Sequence, residues 1–575
     1  MNEARLLEHF DRISEAPDAL PRLRRFILDL AVRGKLVEQD PNDEPACALL
    51  KQIRAGKGLS AADGKTQQAS STLVDPDEIP FSIPTGWQWS RFIDVASIES
   101  NLVNPKTYPD SPHIAPDNIE SGTGRLLAHE TIRAAGVFSA KHLFYKGQIL
   151  YSKIRPALAK VAIANCDGLC SADMYPIRAL VDLAYLHKYM LSEAFVQQSV
   201  AEDTRVAMPK INKASLSRIL VAVPPLVEQR RIAARVDELA ALCDRLGVAH
   251  VERERRRDRL VAASLHPLNR PVDDQSARGN SRFASANLHR LTTRAENVSE
   301  LRQAVLNLAV GGWLVPQDSG DEPARDLLNR SLAEKERHLS RGRSKHARPV
   351  REVRDDEEPF PPPDGWTWTR LEDLLLGDSQ NGYSRKPDDA VNGVPILRIS
   401  AGTIRRDGIV AEEEHKRISS VSPDLRMHYG LQRGDLLACR FNGNRAFVGR
   451  LSLYTDYLGL DPIYPDKLIR LRLLSEFFLP KFVRYFAQST VIRNDIERYC
   501  ATTVGNWGIS ASNLKEVMIP VPPLAEQTRI IARLDELMAV FDRLEAQLTN
   551  AQAASRRLLE AVLHEALESA GAAVA

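Results

Sequence analysis

The chain has 575 residues, of which 43% are hydrophobic and 26% are charged, and its formal net charge is +2. A single hydrophobic core does not extend over this length, so three or four domains are expected, and the composition is that of a globular protein rather than a disordered one. The nearly neutral charge neither indicates nor excludes a nucleic-acid partner, because local patches decide that question.

The sequence gives no sign of a membrane span, of secretion or of a metal site. No apolar run approaches the 18 or so residues that a membrane span needs, and the N-terminus lacks the apolar stretch of a signal peptide, so we expect a cytoplasmic protein. Of six cysteines only Cys166 and Cys170 lie close together, and no second pair follows them. We therefore expect buried thiols and no metal ion.

Apolar spacing and the clustering of Gly, Pro, Ser and Asn divide the chain into nine segments. In chain order we predict an N-terminal helical region at 1–54, a linker at 55–79, a first mixed α/β, strand-rich domain at 80–225, a long helix at 226–268, a polar loop at 269–295, a second helical region at 296–336, a basic and proline-rich linker at 337–362, a second mixed α/β domain at 363–523 and a final long helix at 524–570. Each long helix follows a pair of prolines, which favour a helix start just beyond them.

The second half of the chain repeats the frame of the first. Residues 23–50 return at 301–328 with 17 of 28 residues identical, and residues 223–246 return at 521–544 with 17 of 24 identical. The residues enclosed by this frame barely match. A repeated frame around two different inserts predicts one architecture that recognises two different things.

Apolar residues at alternating steps of four and three predict a coiled-coil seam along both long helices. The predicted seam positions are Ile232, Val236, Leu239 and Leu246 in the first helix and Ile530, Leu534, Leu537, Phe541 and Leu544 in the second. A helix packed on its own domain would give the same pattern. We favour a pair, because two copies of one pattern in one chain can supply each other's seam.

No set of residues predicts a catalytic site. A phosphate-binding loop that ends at Gly64 would need a glycine at Leu59, and the chain has no HExxH and no Asn/Asp-Pro-Pro-aromatic loop of an adenine methyltransferase. Residues 461–467 hold carboxylates and a lysine, as a nuclease metal site requires, but their two prolines favour a turn. We therefore expect a protein that is not an enzyme.

Two stretches, residues 131–166 and 436–455, contain cations but neither Asp nor Glu. Such clusters attract phosphates, and Arg and Asn side chains can also contact the edges of guanine and adenine. With Asn506 from a nearby Gly-Asn-Trp segment, the candidate DNA-binding residues are Arg133, Lys141, Lys146, Lys153, Arg155, Lys160, Arg440, Asn442, Asn444, Arg445, Arg450 and Asn506. A solvated loop is the alternative for both stretches.

The two basic stretches align with each other. Residues 147–150 correspond to residues 434–437, and cations follow in both copies while the residues themselves differ. This pattern is the one expected of two domains that recognise different DNA sequences.

The sequence resembles the specificity (S) subunit of type I DNA restriction-modification systems. Three motifs carry the resemblance, and each occurs twice and in order: LAVxGxLVxQDxxDEPA from Leu30 and Leu308, GWxW from Gly86 and Gly365, and PPLxEQxRI from Pro224 and Pro522. The last of these is the most specific, and the three together cover nearly the whole chain.

The resemblance implies an α+β fold, in which two globular mixed α/β target recognition domains are separated by a pair of long α-helices that form a coiled coil, with an internal pseudo-twofold repeat. Each domain would recognise one half of a bipartite, asymmetric site in double-stranded DNA. The helices would dock two methyltransferase (M) subunits, and restriction (R) subunits would complete the complex. No cofactor is expected on this chain, because S-adenosylmethionine, ATP and Mg²⁺ would belong to the partner subunits.

Two other functions stay open on the sequence alone. A coiled-coil scaffold with two protein-binding domains and no role in DNA binding would also fit the two long helices and the neutral charge. A single-chain restriction enzyme would need the methyltransferase motifs that are missing here.

Overall fold

The computed structural model describes most of the chain as two compact units, unit 1 with residues 1–253 and 551–575 and unit 2 with residues 254–550. The described residues are 16, 18–61, 74–201, 209–269, 292, 294–341, 353–354, 356–388, 390–402, 408–410, 415–419, 421–456, 461–503 and 505–572. Most of the predicted loop at 269–295 and about half of each predicted linker lie outside them.

Unit 1 begins with helices, continues as a strand-rich domain and ends in the first long helix. Its helices are α1 (Ala19–Val32), α2 (Ala46–Ala61), α3 (Phe92–Val95), α4 (Leu183–Leu191), α5 (Glu193–Ala201), α6 (Lys213–Arg218) and α7 (Leu226–Asn269), whose residues after Arg253 belong to unit 2. Its strands are β1 (Gln88–Arg91), β2 (Ala96–Ile98), β3 (Leu102–Val103), β4 (Pro112–Ile114), β5 (Glu130–Thr131), β6 (Lys141–Phe144), β7 (Ile149–Ser152), β8 (Val161–Ile163), β9 (Gly168–Cys170), β10 (Met174–Ala179) and β11 (Leu220–Val223).

Three sheets organise unit 1. Strands β1 and β11 pair as an antiparallel ribbon, and a central antiparallel sheet has the order β2-β10-β7-β8. A five-stranded sheet, β3-β6-β9-β4-β5, contains the parallel pair β4–β9. All four residues of β7 are buried, and Tyr151 from this strand packs with Phe195 of α5 in the main core. A strand buried on both faces is therefore the centre of the unit.

Unit 2 has the same order of helical region, strand-rich domain and long helix. Its helices are α8 (Ala295–Val310), α9 (Ala324–Arg341), α10 (Pro423–Tyr429), α11 (Pro480–Phe486), α12 (Thr490–Arg498), α13 (Ala511–Lys515) and α14 (Leu524–Ala572), whose residues after Asn550 belong to unit 1. Its strands are β12 (Thr367–Arg370), β13 (Gln380–Asn381), β14 (Val394–Leu397), β15 (His415–Ile418), β16 (Leu436–Cys439), β17 (Phe441–Asn442), β18 (Leu451–Leu453), β19 (Leu468–Leu471), β20 (Ala501–Thr503), β21 (Asn506–Gly508) and β22 (Met518–Val521).

The sheets of unit 2 repeat two of the three sheets of unit 1. The ribbon β12–β22 corresponds to β1–β11, and the sheet β13-β19-β16-β18 corresponds to β2-β10-β7-β8. The remaining strands differ, because unit 2 has a hairpin, β14–β15, and a small sheet, β17-β21-β20. The two mixed α/β regions and the long helices confirm the predicted fold class. None of the helices in the described residues is both long and apolar enough to cross a membrane.

A buried tryptophan ties the start of each long helix to the frame. Trp87 Nε1 donates to Glu228 Oε2 at 3.0 Å in unit 1, and Trp366 Nε1 donates to Glu526 Oε2 at 3.0 Å in unit 2. Both carboxylates are buried, and in each the second oxygen has no hydrogen-bond partner. Burial therefore raises the pKa of both glutamates, that of Glu526 to about 7.

The neighbouring residues of the PPLxEQxRI motif also make the same contacts twice. Arg231 binds Asp43 at 2.6 Å in unit 1, and Arg529 binds Asp321 at 2.7 Å in unit 2. Gln229 Nε2 donates to the carbonyl of Pro224 and its Oε1 accepts from the amide of Asp182. Gln527 makes the corresponding contacts with Pro522 and Leu479.

We call these five residues of each unit the frame latch. They are Trp87, Glu228, Gln229, Arg231 and Asp43 in unit 1, and Trp366, Glu526, Gln527, Arg529 and Asp321 in unit 2. The frame latch joins the helical region, the ribbon and the long helix of each unit. A glycine in the left-handed region supports it in both units, since a Cβ at Gly34 or Gly312 would lie within 2.5 Å of Pro84 or Pro363. The sequence repeat is thus explained by contacts that the fold makes twice.

The predicted seam residues fall into three environments. Ile232 and Val236 pack in the main core of unit 1, and Ile530 and Leu534 pack in that of unit 2, as a helix does on its own domain. Within unit 2, Leu537, Phe541 and Leu544 share a separate helical cluster with Val261 and Leu265 from the end of α7 and with α8. Leu239 is half-buried, and Leu246 is 43% exposed. Pairing along the full predicted seam stays a prediction.

The observed helix ends differ slightly from the predicted segment boundaries. Helix α2 continues to Ala61, beyond the predicted linker start at residue 55, because residues 55–61 contain no proline and Ala and Leu favour helix. Helix α9 continues to Arg341, beyond residue 336, and α14 ends at Ala572. Helix ends commonly fray or extend by a few residues, so these differences leave the segment order intact.

We expect Leu537→Asp to destabilise unit 2 by about 2–4 kcal/mol, because the carboxylate would lose water without gaining a partner in the helical cluster. Urea unfolding of the full chain measures the effect. Leu246→Asp is the matched control, since its side chain is 43% exposed, and it should change the stability by about 0.5 kcal/mol or less. Equal destabilisation by the two variants would contradict the packing of Leu537 against the helical cluster.

The raised pKa of Glu526 predicts how stability depends on pH. In the unfolded chain this carboxyl ionises near its ordinary pKa of 4.5, whereas in the folded chain it ionises at about 7, so stability falls as the pH rises between these values. Glu526→Gln keeps an acceptor for Trp366 but cannot ionise. We expect the melting temperature of the variant, relative to that of the wild type, to rise from pH 5 to pH 8. Glu536→Gln, on the surface of the same helix, is the control, and its difference in melting temperature from the wild type should not change with pH. A difference that is also constant with pH for Glu526→Gln would refute the prediction.

Candidate nucleic-acid interface

The end of the central buried strand holds a cation in the same position of both units. Lys153 follows β7, and Arg440 follows β16. The amide of Lys153 donates to the carbonyl of Asp173 at 3.0 Å, and that of Arg440 donates to Lys467 at 2.8 Å. The carbonyls of Lys153 and Arg440 accept from Ile211 and Ile509. Matching backbone bonds therefore make Lys153 and Arg440 structurally equivalent.

The charged groups of these two residues are also held alike. Lys153 Nζ donates to the carbonyl of Ala172 at 2.6 Å, and Arg440 Nη1 donates to the carbonyl of Asp466 at 3.3 Å. In each unit the acceptor lies one residue before the residue whose carbonyl binds the backbone amide. The fold thus places a positive charge at the same point of unit 1 and of unit 2, although a lysine supplies it in one and an arginine in the other.

The structure brings most candidates of the second stretch together. Strand β17, with Phe441 and Asn442, pairs with β21, so that Asn442 faces Trp507 in the ladder. Asn506 precedes Trp507 on the same strand and is exposed. We call the following set the unit 2 patch: Arg440, Phe441, Asn442, Asn444, Arg445, Lys467, Asn506 and Trp507.

Aromatic rings lie next to three cations of the unit 2 patch. The guanidinium of Arg440 lies 4.7 Å and Lys467 Nζ lies 5.5 Å from the ring centre of Phe441. The guanidinium of Arg445 lies 4.9 Å from the ring centre of Trp507. A cation on an aromatic face is attracted by the ring and restricted in its orientation. Arg445 Nη2 also donates to the carbonyl of Glu497 at 2.7 Å.

The asparagines of the unit 2 patch shape its loop. Asn442 Oδ1 accepts from the amide of Asn444, and Asn444 Oδ1 accepts from the amide of Ala446 and so caps the 3₁₀ turn Arg445–Phe447. Their side-chain oxygens are therefore bound by the backbone. Asn444 is exposed, whereas Asn442 is half-buried. Arg450 lies further along the loop, with its guanidinium 5.9 Å from the ring of Phe447.

The first basic stretch contains no acidic residue, but acidic residues from other parts of the chain lie next to its cations. Lys160 Nζ lies 3.2 Å from Asp117, and Arg133 Nη2 lies 3.0 Å from Asp110. Asp173 lies 3.8 Å from Lys153 Nζ and 3.1 Å from the amine of Lys210. Because strands from distant parts of the chain meet here, acids outside residues 131–166 neutralise part of the charge that the sequence suggested.

The other three candidates of unit 1 divide into one buried and two exposed residues. Lys141 is 7% exposed, and its amine donates to the carbonyl and hydroxyl oxygens of Ser139. Burial lowers the pKa of this amine. The side chains of Lys146 and Arg155 are exposed, and Arg155 has a positive φ of 48°. Among the described residues of unit 1, Lys146 and Arg155 are thus the candidates best placed to meet a phosphate.

Four residues of this region were not identified from the sequence as candidates. Lys210 forms an isolated bridge with Ile154, Lys467 lies in the turn before β19, and neither belongs to a basic run. Phe441 and Trp507 lie within the two segments that the sequence indicated, but they were not named as candidates. Phe441 could have been indicated by Arg440 beside it, since a ring next to a cation in a loop suggests stacking, whereas nothing in the sequence predicts that Trp507 lies against Arg445.

The described residues offer no arrangement for metal-dependent chemistry, since no group of three or more His, Cys, Asp or Glu side chains in them could hold a metal ion. The two close cysteines are both free, and Cys170 is buried. Burial raises the pKa of its thiol to about 12, so the thiol is protonated at neutral pH.

Comparison with known proteins gives consistent matches to one family. The family model described as "Type I restriction modification DNA specificity domain" matches residues 84–247 and 464–551, in both repeats. The chain is 28% identical over 561 residues to the type I restriction enzyme EcoEI specificity subunit of Escherichia coli, which covers 95% of this chain and 94% of that protein. It is 42% identical over 235 residues to the EcoDI specificity subunit of the same species, over 40% of this chain and 49% of that protein.

A solved structure shares the fold. A chain from a structural study of complex assembly and conformational transition in a type I R-M system matches with a TM-score of 0.51 at 21% identity, over 85% of this chain and 99% of that chain. Over both repeats, the chain is therefore similar to the specificity subunits of type I restriction-modification systems.

Proposed function

We propose that this chain is the non-catalytic subunit that recognises DNA for a type I restriction-modification complex. Each unit recognises one half of a bipartite, asymmetric site in double-stranded DNA. The observation that carries the proposal is the cation held at an equivalent point of both units, Lys153 in one and Arg440 in the other, within surroundings that differ. A common position with different neighbours is what two recognition units for different half-sites require.

The similarity to specificity subunits favours this function over a scaffold without a role in DNA binding. The matched family model is a DNA specificity domain, and it matches both repeats. The frame latch explains the repeated residues as structural, which leaves the divergent loops to carry recognition. Phosphate contacts position a protein on the duplex, and contacts to base edges select the sequence.

The partners that we propose are two methyltransferase subunits and restriction subunits, in the cytoplasm. This chain contributes no cofactor to the complex. S-adenosylmethionine, ATP and Mg²⁺ bind to the partner subunits, and the methyltransferase flips and methylates an adenine at N6. Co-purification of the chain with a type I methyltransferase subunit from the same genome tests the assembly. Methylation-sensitive sequencing of a host that carries both genes identifies the DNA motif.

We expect Arg440→Ala and Arg445→Ala to weaken binding of the assembled methyltransferase complex to its duplex, or to relax the sequence requirement in one half-site. Loss of a base contact costs about 1–3 kcal/mol, and the other half-site should be recognised as before. Gel shift or fluorescence anisotropy with duplexes mutated in either half measures this. Unchanged binding by both variants would count against the unit 2 patch as a DNA interface.

Lys146 and Lys141 should behave differently although both lie in the first basic stretch. Lys146→Ala removes an exposed cation, so the slope of log affinity against log salt should fall by about one. Lys141→Met replaces a largely buried amine that binds Ser139, and it should leave the salt slope unchanged. Anisotropy titrations at several salt concentrations compare the two variants. A reduced slope for Lys141→Met would show that this amine reaches DNA after all.

A further inference from the structure

The two arginines of the unit 2 patch are held by aromatic rings before any ligand binds. The guanidinium of Arg440 lies on Phe441 at 4.7 Å, and that of Arg445 lies on Trp507 at 4.9 Å. An unsupported arginine loses rotamer freedom when it binds a ligand, and this loss weakens binding. A guanidinium that is already stacked has lost that freedom in the free protein.

Backbone pairing fixes the position of both rings. Phe441 faces Gly508 in the ladder between β17 and β21, and a Cβ at Gly508 would lie 2.5 Å from a ring carbon of Phe441. The ring of Phe441 therefore occupies the space that only a glycine leaves open on β21. Trp507 faces Asn442 in the same ladder, so both rings are carried by one small sheet.

Each stacked guanidinium is also fixed through one of its nitrogens. Arg440 Nη1 donates to the carbonyl of Asp466, and Arg445 Nη2 donates to the carbonyl of Glu497. The Nε atoms of both arginines are buried without a hydrogen-bond partner. In the described part of the chain, Nη2 of Arg440 and Nη1 of Arg445 have no acceptor. Two donors, one from each arginine, are thus oriented by the protein, and the guanidinium of Arg445 also forms an ion pair in which its Nε lies 3.7 Å from Glu497 Oε2.

Unit 1 has an aromatic ring near its equivalent cation, since Lys153 Nζ lies 5.4 Å from the ring centre of Tyr175, but it has no ring at the position of Phe441. The residue that corresponds to Phe441 is Ile154, which makes the corresponding bridge to Lys210. Its cation is Lys153, which presents a single charged amine close to Asp173 rather than a planar group. A lysine amine acts as a point charge, whereas an arginine presents donors in a fixed plane that matches the O6 and N7 acceptors of guanine.

We propose that Phe441 and Trp507 are positioning residues that hold Arg440 and Arg445 as rigid donors to the major-groove edges of guanines, so that the half-site recognised by unit 2 contains guanine. This inference rests on the proposed function of the unit 2 patch. The rings touch the arginines and act through them. They contribute to the choice of base rather than to overall attraction for DNA.

The test uses the assembled methyltransferase complex and the motif that methylation sequencing identifies. Each G·C pair of either half-site is replaced by A·T, and affinity is measured for the wild type, Phe441→Leu and Trp507→Leu at several salt concentrations. We expect the wild type to lose about tenfold or more in affinity when a contacted guanine is replaced. The two variants should lose most of this discrimination in one half-site, keep it in the other and retain the salt slope of the wild type.

Two further variants separate positioning from folding. Trp507→Phe keeps a ring under Arg445 and should restore much of the discrimination that Trp507→Leu loses. Phe360→Leu is the matched control, because Phe360 packs on Trp368 in the same unit and lies outside the unit 2 patch. It should leave discrimination unchanged, and thermal unfolding of all variants reports their stability.

Three results would overturn the inference. The first is an equal loss of affinity for every duplex together with a salt slope reduced by about one, which would assign the arginines to phosphates. The second is full discrimination by both Leu variants, and the third is a motif without guanine in either half-site. A wild-type complex that binds all duplexes alike would refute the proposed function itself, and the two failures are therefore distinguishable.

Discussion

The hydrogen bond from a buried tryptophan to a buried glutamate is the contact on which each unit depends. It joins residues 141 positions apart in unit 1 and 160 positions apart in unit 2. Neither partner has an alternative, because the indole N–H can only donate and the carboxylate has lost its water. The ion pairs Arg231–Asp43 and Arg529–Asp321 beside it bind the helical region to the same helix start. An unpaired member of this set would cost about 1–3 kcal/mol.

The frame latch leaves the recognition surface free to vary. The latch lies at the ribbon and the start of the long helix, whereas the candidate DNA contacts lie beyond the end of the central strand. Backbone bonds hold Lys153 and Arg440 in equivalent places without reference to their side chains. One frame therefore supports two surfaces of different chemistry. One has amines close to Asp173, and the other has guanidinium groups stacked on rings.

The two surfaces also show why a basic run in sequence is a weak guide to a basic surface. Residues 131–166 contain no acid, yet Asp110, Asp117 and Asp173 approach three of the six candidate cations. The largely buried amine of Lys141 donates to the hydroxyl of Ser139. Coulomb interactions depend on distance in space, and the sheets bring together strands that are far apart in the chain. A lysine next to an aspartate is held in place as well as partly neutralised.

The sequence by itself determined the repeat, the two mixed α/β domains, the long helices and the resemblance to type I specificity subunits, because prolines, apolar periodicity and repeated motifs are local signals. It also indicated Arg440 and Arg445. Only the tertiary structure decided that Ile232 and Ile530 pack into domain cores, since a helix face has the same spacing whatever it packs against. The tertiary structure alone brought Lys467 to Phe441 and Trp507 to Arg445, because such contacts are set by strand pairing rather than by position in the chain.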